Sequence, residues 1–136
     1  MKTLIIDNDI SLKKALSFNL LELGHMVAIA SNGREAVHLL ERNQNFDLIF
    51  CDVMMPELTG PAFLLMLKKY FPKQLPCIVI ISGLTNGEEF LNKIDVQYDY
   101  FVKKSIDMTQ LRYLVDDICL ARCQPDDICI TKCHCD

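Results

Sequence analysis

The chain is short of basic charge: 14 lysines and arginines face 18 aspartates and glutamates, a net charge of -4. A sequence-independent grip on nucleic acid needs clustered cations against phosphates. Direct nucleic-acid binding is therefore not expected. Long apolar runs are also missing. The opening MKTLIIDNDI holds one lysine and a short apolar stretch that Asp7 interrupts, unlike a signal peptide and far below the ~20 residues of a membrane-spanning helix. The expectation is a cytoplasmic chain with no membrane partner. There is no internal repeat and no low-complexity segment. His25, His38 and His134 have no mutual spacing that suggests catalysis.

What is present suits a folded domain. A hydrophobic fraction of 51% with 24% charged residues supports a buried core and differs from disordered chains. The 136 residues fit one domain, since single domains cluster at roughly 100–150 residues. Short apolar runs alternate with segments of helical period, the pattern of an α/β protein with a parallel sheet. Five strands are expected, at Leu4-Ile5-Ile6, Met26 to Ile29, Leu48 to Cys51, Cys77 to Ile81 and Tyr98 to Val102. Helices are expected at about residues 10–23, 32–43, 60–70, 86–94 and 107–122. Asn32 with Glu35 and Asp107 with Gln110 read as capping boxes, Ile106 can staple onto Leu111, and Pro61 suits a first helical turn. Such repeated βα units give a doubly wound sheet that binds ligands at the carboxyl ends of its strands.

Seven cysteines are unevenly placed. Cys51 and Cys77 sit in apolar runs and are expected in the core. Cys119, Cys123, Cys129, Cys133 and Cys135 crowd the C-terminus, with a spacing that only loosely resembles a zinc site. The expected division is a domain over 1–122 and a reduced, flexible cysteine-rich tail over 123–136.

Three strands run into polar residues: the first into Asp7-Asn8-Asp9, the third into Asp52, the fourth into Ser82. The fifth runs into Lys103. In one parallel sheet these side chains share a rim. Close carboxylates repel, and Mg²⁺ relieves this while keeping waters and phosphate oxygens in its shell. Asp52 is then a nucleophile towards phosphorus, Lys103 neutralises charge on the transferring group, and Ser82 hydrogen-bonds a phosphoryl oxygen. Asp9 is either the cap of the first helix or a further cation ligand.

The ordered set of acidic cluster, Asp52-Val53-Met54-Met55-Pro56 with Gly60, Ile81-Ser82-Gly83 and Tyr100-Phe101-Val102-Lys103 resembles the response-regulator receiver family over about residues 2–122. The resemblance implies strand order 2-1-3-4-5 in a flavodoxin-like three-layer sandwich with five helices. It also implies Asp52 as phosphoacceptor, Asp7 and Asn8 as the acidic pair, and the Met54 backbone carbonyl as a further Mg²⁺ ligand. Ser82 becomes the switch hydroxyl, Lys103 the invariant lysine and Tyr100 the switch aromatic. The implied donor is a sensor histidine kinase or a histidine phosphotransfer protein. The implied output is a protein partner or a homodimer, through the face of the fourth helix, fifth strand and fifth helix. Such a chain is a phosphoacceptor and not an enzyme in its own right.

The family pattern has an acid where Asn8 stands, usually a cis proline where Lys104 stands, and often a glycine where Asp95-Val96-Gln97 ends the fourth helix. Weakened Mg²⁺ binding and a locally different loop are expected. Met54 and Leu84 occupy the two positions flanking the path of a hydrolytic water, and neither orients water, so slow self-dephosphorylation is expected. Two other functions fit parts of the sequence. One is a degenerate receiver that binds partners without phosphorylation. The other is a haloacid-dehalogenase-type phosphatase with Asp7 as nucleophile, since Asp7-x-Asp9 with Ser11 resembles that motif.

Overall fold

The computed structural model describes residues 1–42, 45–54, 58–71, 76–83, 89, 92 and 97–122. Five parallel strands, β1 (Lys2–Ile6), β2 (Met26–Ala30), β3 (Leu48–Asp52), β4 (Cys77–Ser82) and β5 (Tyr100–Lys103), form one sheet in the order 2-1-3-4-5. Four helices are described in full: α1 (Ile10–Glu22), α2 (Gly33–Arg42), α3 (Gly60–Tyr70) and α4 (Met108–Arg122). The helix expected at 86–94 lies largely outside the described residues, of which Glu89 and Asn92 are helical. No described helix is long and apolar enough to cross a membrane.

The two-residue period of a strand separates two cores. Leu4, Ile6, Ile49, Cys51, Ile78 and Ile80 point to one face and pack with Ala36 and Leu40 of α2 and Phe63 and Leu67 of α3. Ile5, Leu48, Phe50, Val79, Ile81 and Val102 point to the other and pack with Leu16 and Leu20 of α1 and Leu111, Val115 and Ile118 of α4. Central strands covered on both faces need apolar residues without alternation. Accordingly β3 and β4 are buried at every position, whereas the edge strands β2 and β5 are partly exposed.

The helix starts follow side-chain chemistry. Asp9 caps α1 by accepting from the Leu12 amide at 3.1 Å. Asn32 accepts from the Glu35 amide at 2.9 Å, and the Glu35 carboxylate reaches back to the Ser31 amide at 2.7 Å. Asp107 accepts from the Gln110 amide at 2.8 Å, while Ile106 and Leu111 pack in the same cluster. At α3 the cap is Thr59, ahead of Pro61 in the first turn. After α1 the chain reverses through Gly24 at φ 87°, a left-handed conformation that suits glycine.

Two aspartates fasten the amino ends of the strands. Asp47 accepts from the Lys2 amide at 2.9 Å and its own amide donates to the Lys2 carbonyl at 2.8 Å. Asp99 holds both polar groups of Ile78 in the same way, at 2.7 and 2.9 Å. This second clamp fixes where β5 begins. The strand expected at Tyr98 to Val102 is displaced to Tyr100–Lys103.

Candidate functional site

Because β1, β3 and β4 are parallel and in register, their carboxyl ends meet on one rim. Asp7 follows β1 and donates its amide to the Ala30 carbonyl at 3.1 Å. Asp52 closes β3 opposite Ile81, and Ser82 closes β4 opposite Lys103. All three of Asp7, Asp52 and Ser82 are buried. The expected convergence of the two carboxylates with the hydroxyl-bearing strand end is therefore present.

The ammonium in this group belongs to Lys104 and not to Lys103. Lys104 Nζ lies 3.2 Å from Asp52 Oδ2 and 3.3 Å from each carboxylate oxygen of Asp7. Lys103 is exposed and makes no ion pair with either acid among the described residues. Lys103 is the last rung of the β4–β5 ladder, so its side chain follows the strand's alternation. The chain then continues through Lys104, whose amide donates to the Ser82 carbonyl at 2.9 Å. There the ladder ends, and the next side chain swings over the rim. No cis peptide bond occurs among the described residues, so the lysine is delivered here by a loop of different course from the cis-proline loop of the family pattern. Neighbouring lysines at a strand end point in different directions, and the strand register needed to choose between them is not written in the sequence.

The remaining candidates divide. Asn8 is exposed at the mouth of the pocket. Asp9 donates its amide to Asp7 Oδ1 at 2.9 Å, but its carboxylate is engaged in capping α1. Met54 donates its amide to Asp52 Oδ1 at 3.4 Å, and its side chain is 56% exposed. Tyr100 is not brought into the group. It lies at the start of β5 opposite Val79, 37% exposed, on the sheet face that carries α1 and α4. Phe101 lies on the opposite face beside Tyr98, ring centroids 6.3 Å apart. Met55, Pro56, Leu84 and the tail cysteines from Cys123 onward lie outside the described residues.

Gly60 brings α3 against the end of β3. Its amide donates to the Val53 carbonyl at 3.0 Å, and a Cβ there would stand 2.1 Å from the Asp52 carbonyl oxygen. Only glycine allows that approach.

Charge in the pocket is incompletely balanced. Burial, then the negative charge of Asp7, pushes the Asp52 carboxyl up to about 6, against the pull of Lys104. Burial alone would lower the Lys104 ammonium, but Asp52 and then Asp7 outweigh it and hold it above the ordinary lysine value. Asp7 Oδ2 is buried, and its contact with the Lys104 ammonium at 3.3 Å lacks hydrogen-bond geometry. Two buried carboxylates with an unsatisfied oxygen fit a hard divalent cation, which needs few protein carboxylates when water completes its shell. Among the described residues no three His, Cys, Asp or Glu side chains form a metal group. Next to Asp52, Cys51 is a free, buried thiol whose Sγ donates to the Asp52 carbonyl at 3.5 Å. Burial, then Asp52 and Asp7, push it far above the usual thiol range.

The response regulator receiver domain profile matches residues 3–116. An uncharacterized 14.6 kDa protein of Leptolyngbya boryana is 31% identical over 123 residues, covering 89% of this chain and 92% of that one. The probable transcriptional regulator ycf29 of Pyropia yezoensis is 30% identical over 117 residues, covering 86% of this chain but 52% of its own. This chain thus spans about half the length of that regulator. In structure it is similar to the chemotaxis protein CheY4 of Vibrio cholerae, with TM-score 0.74, 24% identity, and 86% and 97% of the two chains covered. At that identity the likeness concerns the fold. Sequence and fold agree, and the chain belongs to the response regulator receiver domain family.

Proposed function

We propose that Asp52 accepts a phosphoryl group from a phosphohistidine of a sensor kinase or phosphotransfer protein. The observation that carries this reading is the buried Asp52 carboxylate beside Asp7, with Lys104 bridging the two. An Asp52 carboxylate oxygen forms a bond to phosphorus as the donor's P–N bond breaks, and the donor imidazole keeps the electron pair. Lys104 stands where it can neutralise charge on the phosphoryl oxygens. Ser82, buried at the adjacent strand end, is placed to hydrogen-bond one of them. A Mg²⁺ ion held by Asp7, Asp52, the Met54 carbonyl and Asn8 would supply further positive charge.

The donor must approach along the open rim. Exposed Ile10 at the start of α1 and Phe18 two turns on offer an apolar surface beside it. The output face includes the β5 edge and α4; the expected helix at 86–94 that would complete it lies largely outside the described residues. On this reading the receiver unit is 1–122, the tail is 123–136, and the chain works in the cytoplasm through proteins and not nucleic acid. The chain is a phosphoacceptor that supplies its own pocket, not an enzyme with a separate substrate. A phosphatase mechanism through Asp7 gains nothing from the structure, because the carboxylate of Asp9, its required acid, caps a helix.

Incubation with acetyl phosphate and Mg²⁺ should add one phosphoryl group, about 80 Da, to the intact chain. Asp52→Asn should prevent it. Labelling that survives this substitution overturns the assignment. No labelling of the parent chain favours a partner-binding receiver that is not phosphorylated, the reading that Asn8 supports.

A further inference from the structure

We propose that Lys13 is a positioning residue for Asp7, holding that carboxylate in place beside Asp52 through a closed ring of hydrogen bonds. The inference rests on the reading that Asp7 serves the Asp52 pocket, and it deepens that reading by naming a buried cation, outside the group of Asp7, Asp52 and Lys104, that orients one member of it.

Lys13 stands in the first turn of α1 and is only 9% exposed. A buried ammonium is unfavourable unless polar groups receive it, and an apolar side chain would fill the same space without that penalty. Lys13 Nζ donates to Ser31 Oγ at 2.8 Å, just beyond the carboxyl end of β2. The Ser31 amide in turn donates to the Glu35 carboxylate of α2 at 2.7 Å. One side-chain contact thus ties α1 to the loop that opens α2.

The ring closes through Asp7. Ser31 follows Ala30, whose carbonyl accepts from the Asp7 amide at 3.1 Å. The Asp7 carboxylate accepts at Oδ1 from the Asp9 amide at 2.9 Å, and the Asp9 carbonyl accepts from the Lys13 amide at 3.0 Å. Asp7 is therefore held twice, its backbone by β2 and its carboxylate by the start of α1, and Lys13 fastens these two supports to each other. Without the contact between Lys13 and Ser31, the start of α1 is free to rock away from β2 and carries the Asp9 amide with it. The carboxylate then loses the bond that fixes its direction. Functional carboxylates need such support, because a site works only when its groups are held to within about 0.5 Å.

The test is hydrogen exchange of the Asp9 amide in EDTA, beside a Mg²⁺ titration of the full chain without phosphodonor. Lys13→Met keeps a buried stem and removes the ammonium, and Ser31→Ala removes its acceptor. Each should speed exchange of the Asp9 amide and weaken Mg²⁺ binding, both by about fivefold, the loss of roughly one hydrogen bond. The double variant should lose no more than either alone, since both changes break the same contact. Asp47→Ala, which removes a hydrogen bond at the amino ends of the strands, should leave both readings at the parent's values. Parent-like readings in either single variant, additive losses in the double variant, or equal losses in Asp47→Ala overturn the proposal. If Lys13→Met does not fold, Ser31→Ala decides alone. A parent chain that binds no Mg²⁺ removes the cation reading, and exchange of the Asp9 amide then decides the ring by itself. No donor is present, so failure here is separate from failure of Asp52 labelling.

Discussion

At the scale of single residues, the buried position of Asp52 has a cost in stability that depends on pH. The Asp52 carboxyl is raised from 3.8 to about 6 by burial and by Asp7. An acid whose folded value is raised favours folding most below its unfolded value, and that contribution is lost as pH rises through about 6. Above that pH a charged Asp52 opposes folding. In EDTA, Asp52→Asn should therefore stabilise the fold by on the order of 1–3 kcal/mol at pH 8 and by much less at pH 4. Urea denaturation at the two pH values measures it, and an equal effect at both would rule out charge as the cause. Asp9 gives a prediction of opposite kind. As a cap it should cost about 0.5–2 kcal/mol when changed to Ala, and Mg²⁺ affinity should stay unchanged. A large loss of affinity would make it a ligand after all.

At the scale of elements, the sequence was legible wherever one local force decided the outcome. Apolar runs placed β3 and β4 because central strands are buried on both faces. Asn32 and Asp107 placed the starts of α2 and α4 because caps are local. Asp7, Asp52 and Ser82 followed from strand ends in register, and the structure brings them to one rim. The structure sets Lys104, and not Lys103, against the two acids, at the end of a strand whose start is held where Asp99 clamps Ile78, a contact between segments 21 residues apart that no local pattern announces. The α3 approach through Gly60 is likewise a tertiary requirement, though its glycine was visible. Gly60→Ala forces backbone atoms apart and should cost about 1–3 kcal/mol. Thermal unfolding measures the loss. The same variant should slow acetyl phosphate labelling, because the Asp52 peptide itself must shift. Full stability with normal labelling would show that the loop can move aside.

At the scale of the whole molecule, the proposed phosphorylation of Asp52 carries an expectation about lifetime, because hydrolysis needs a water at the rim. Met54, whose amide donates to Asp52 Oδ1, has an exposed side chain, and neither methionine nor the leucine at 84, which lies outside the described residues, carries a group that could hydrogen-bond a water. Decay after removal of the donor should therefore be slow, and Met54→Asn with Leu84→Glu should quicken it by about ten- to a hundredfold. Decay no faster in that double variant would mean that water access is not limiting. The molecule also chooses between electrophiles. Acetyl phosphate carries two, phosphorus and an acyl carbon, and a thiolate would attack the second. Cys51 adjoins the acceptor, yet its buried, strongly raised thiol supplies almost no thiolate, and Cys77 is pushed up to about 11. The two buried thiols, Cys51 beside Asp52 and Cys77 at the start of β4, are thus poor nucleophiles towards acylation. Any product heavier by about 42 Da, the mass of an acetyl group, should map away from Cys51 and Cys77, and the receiver's signature should remain an oxygen–phosphorus bond.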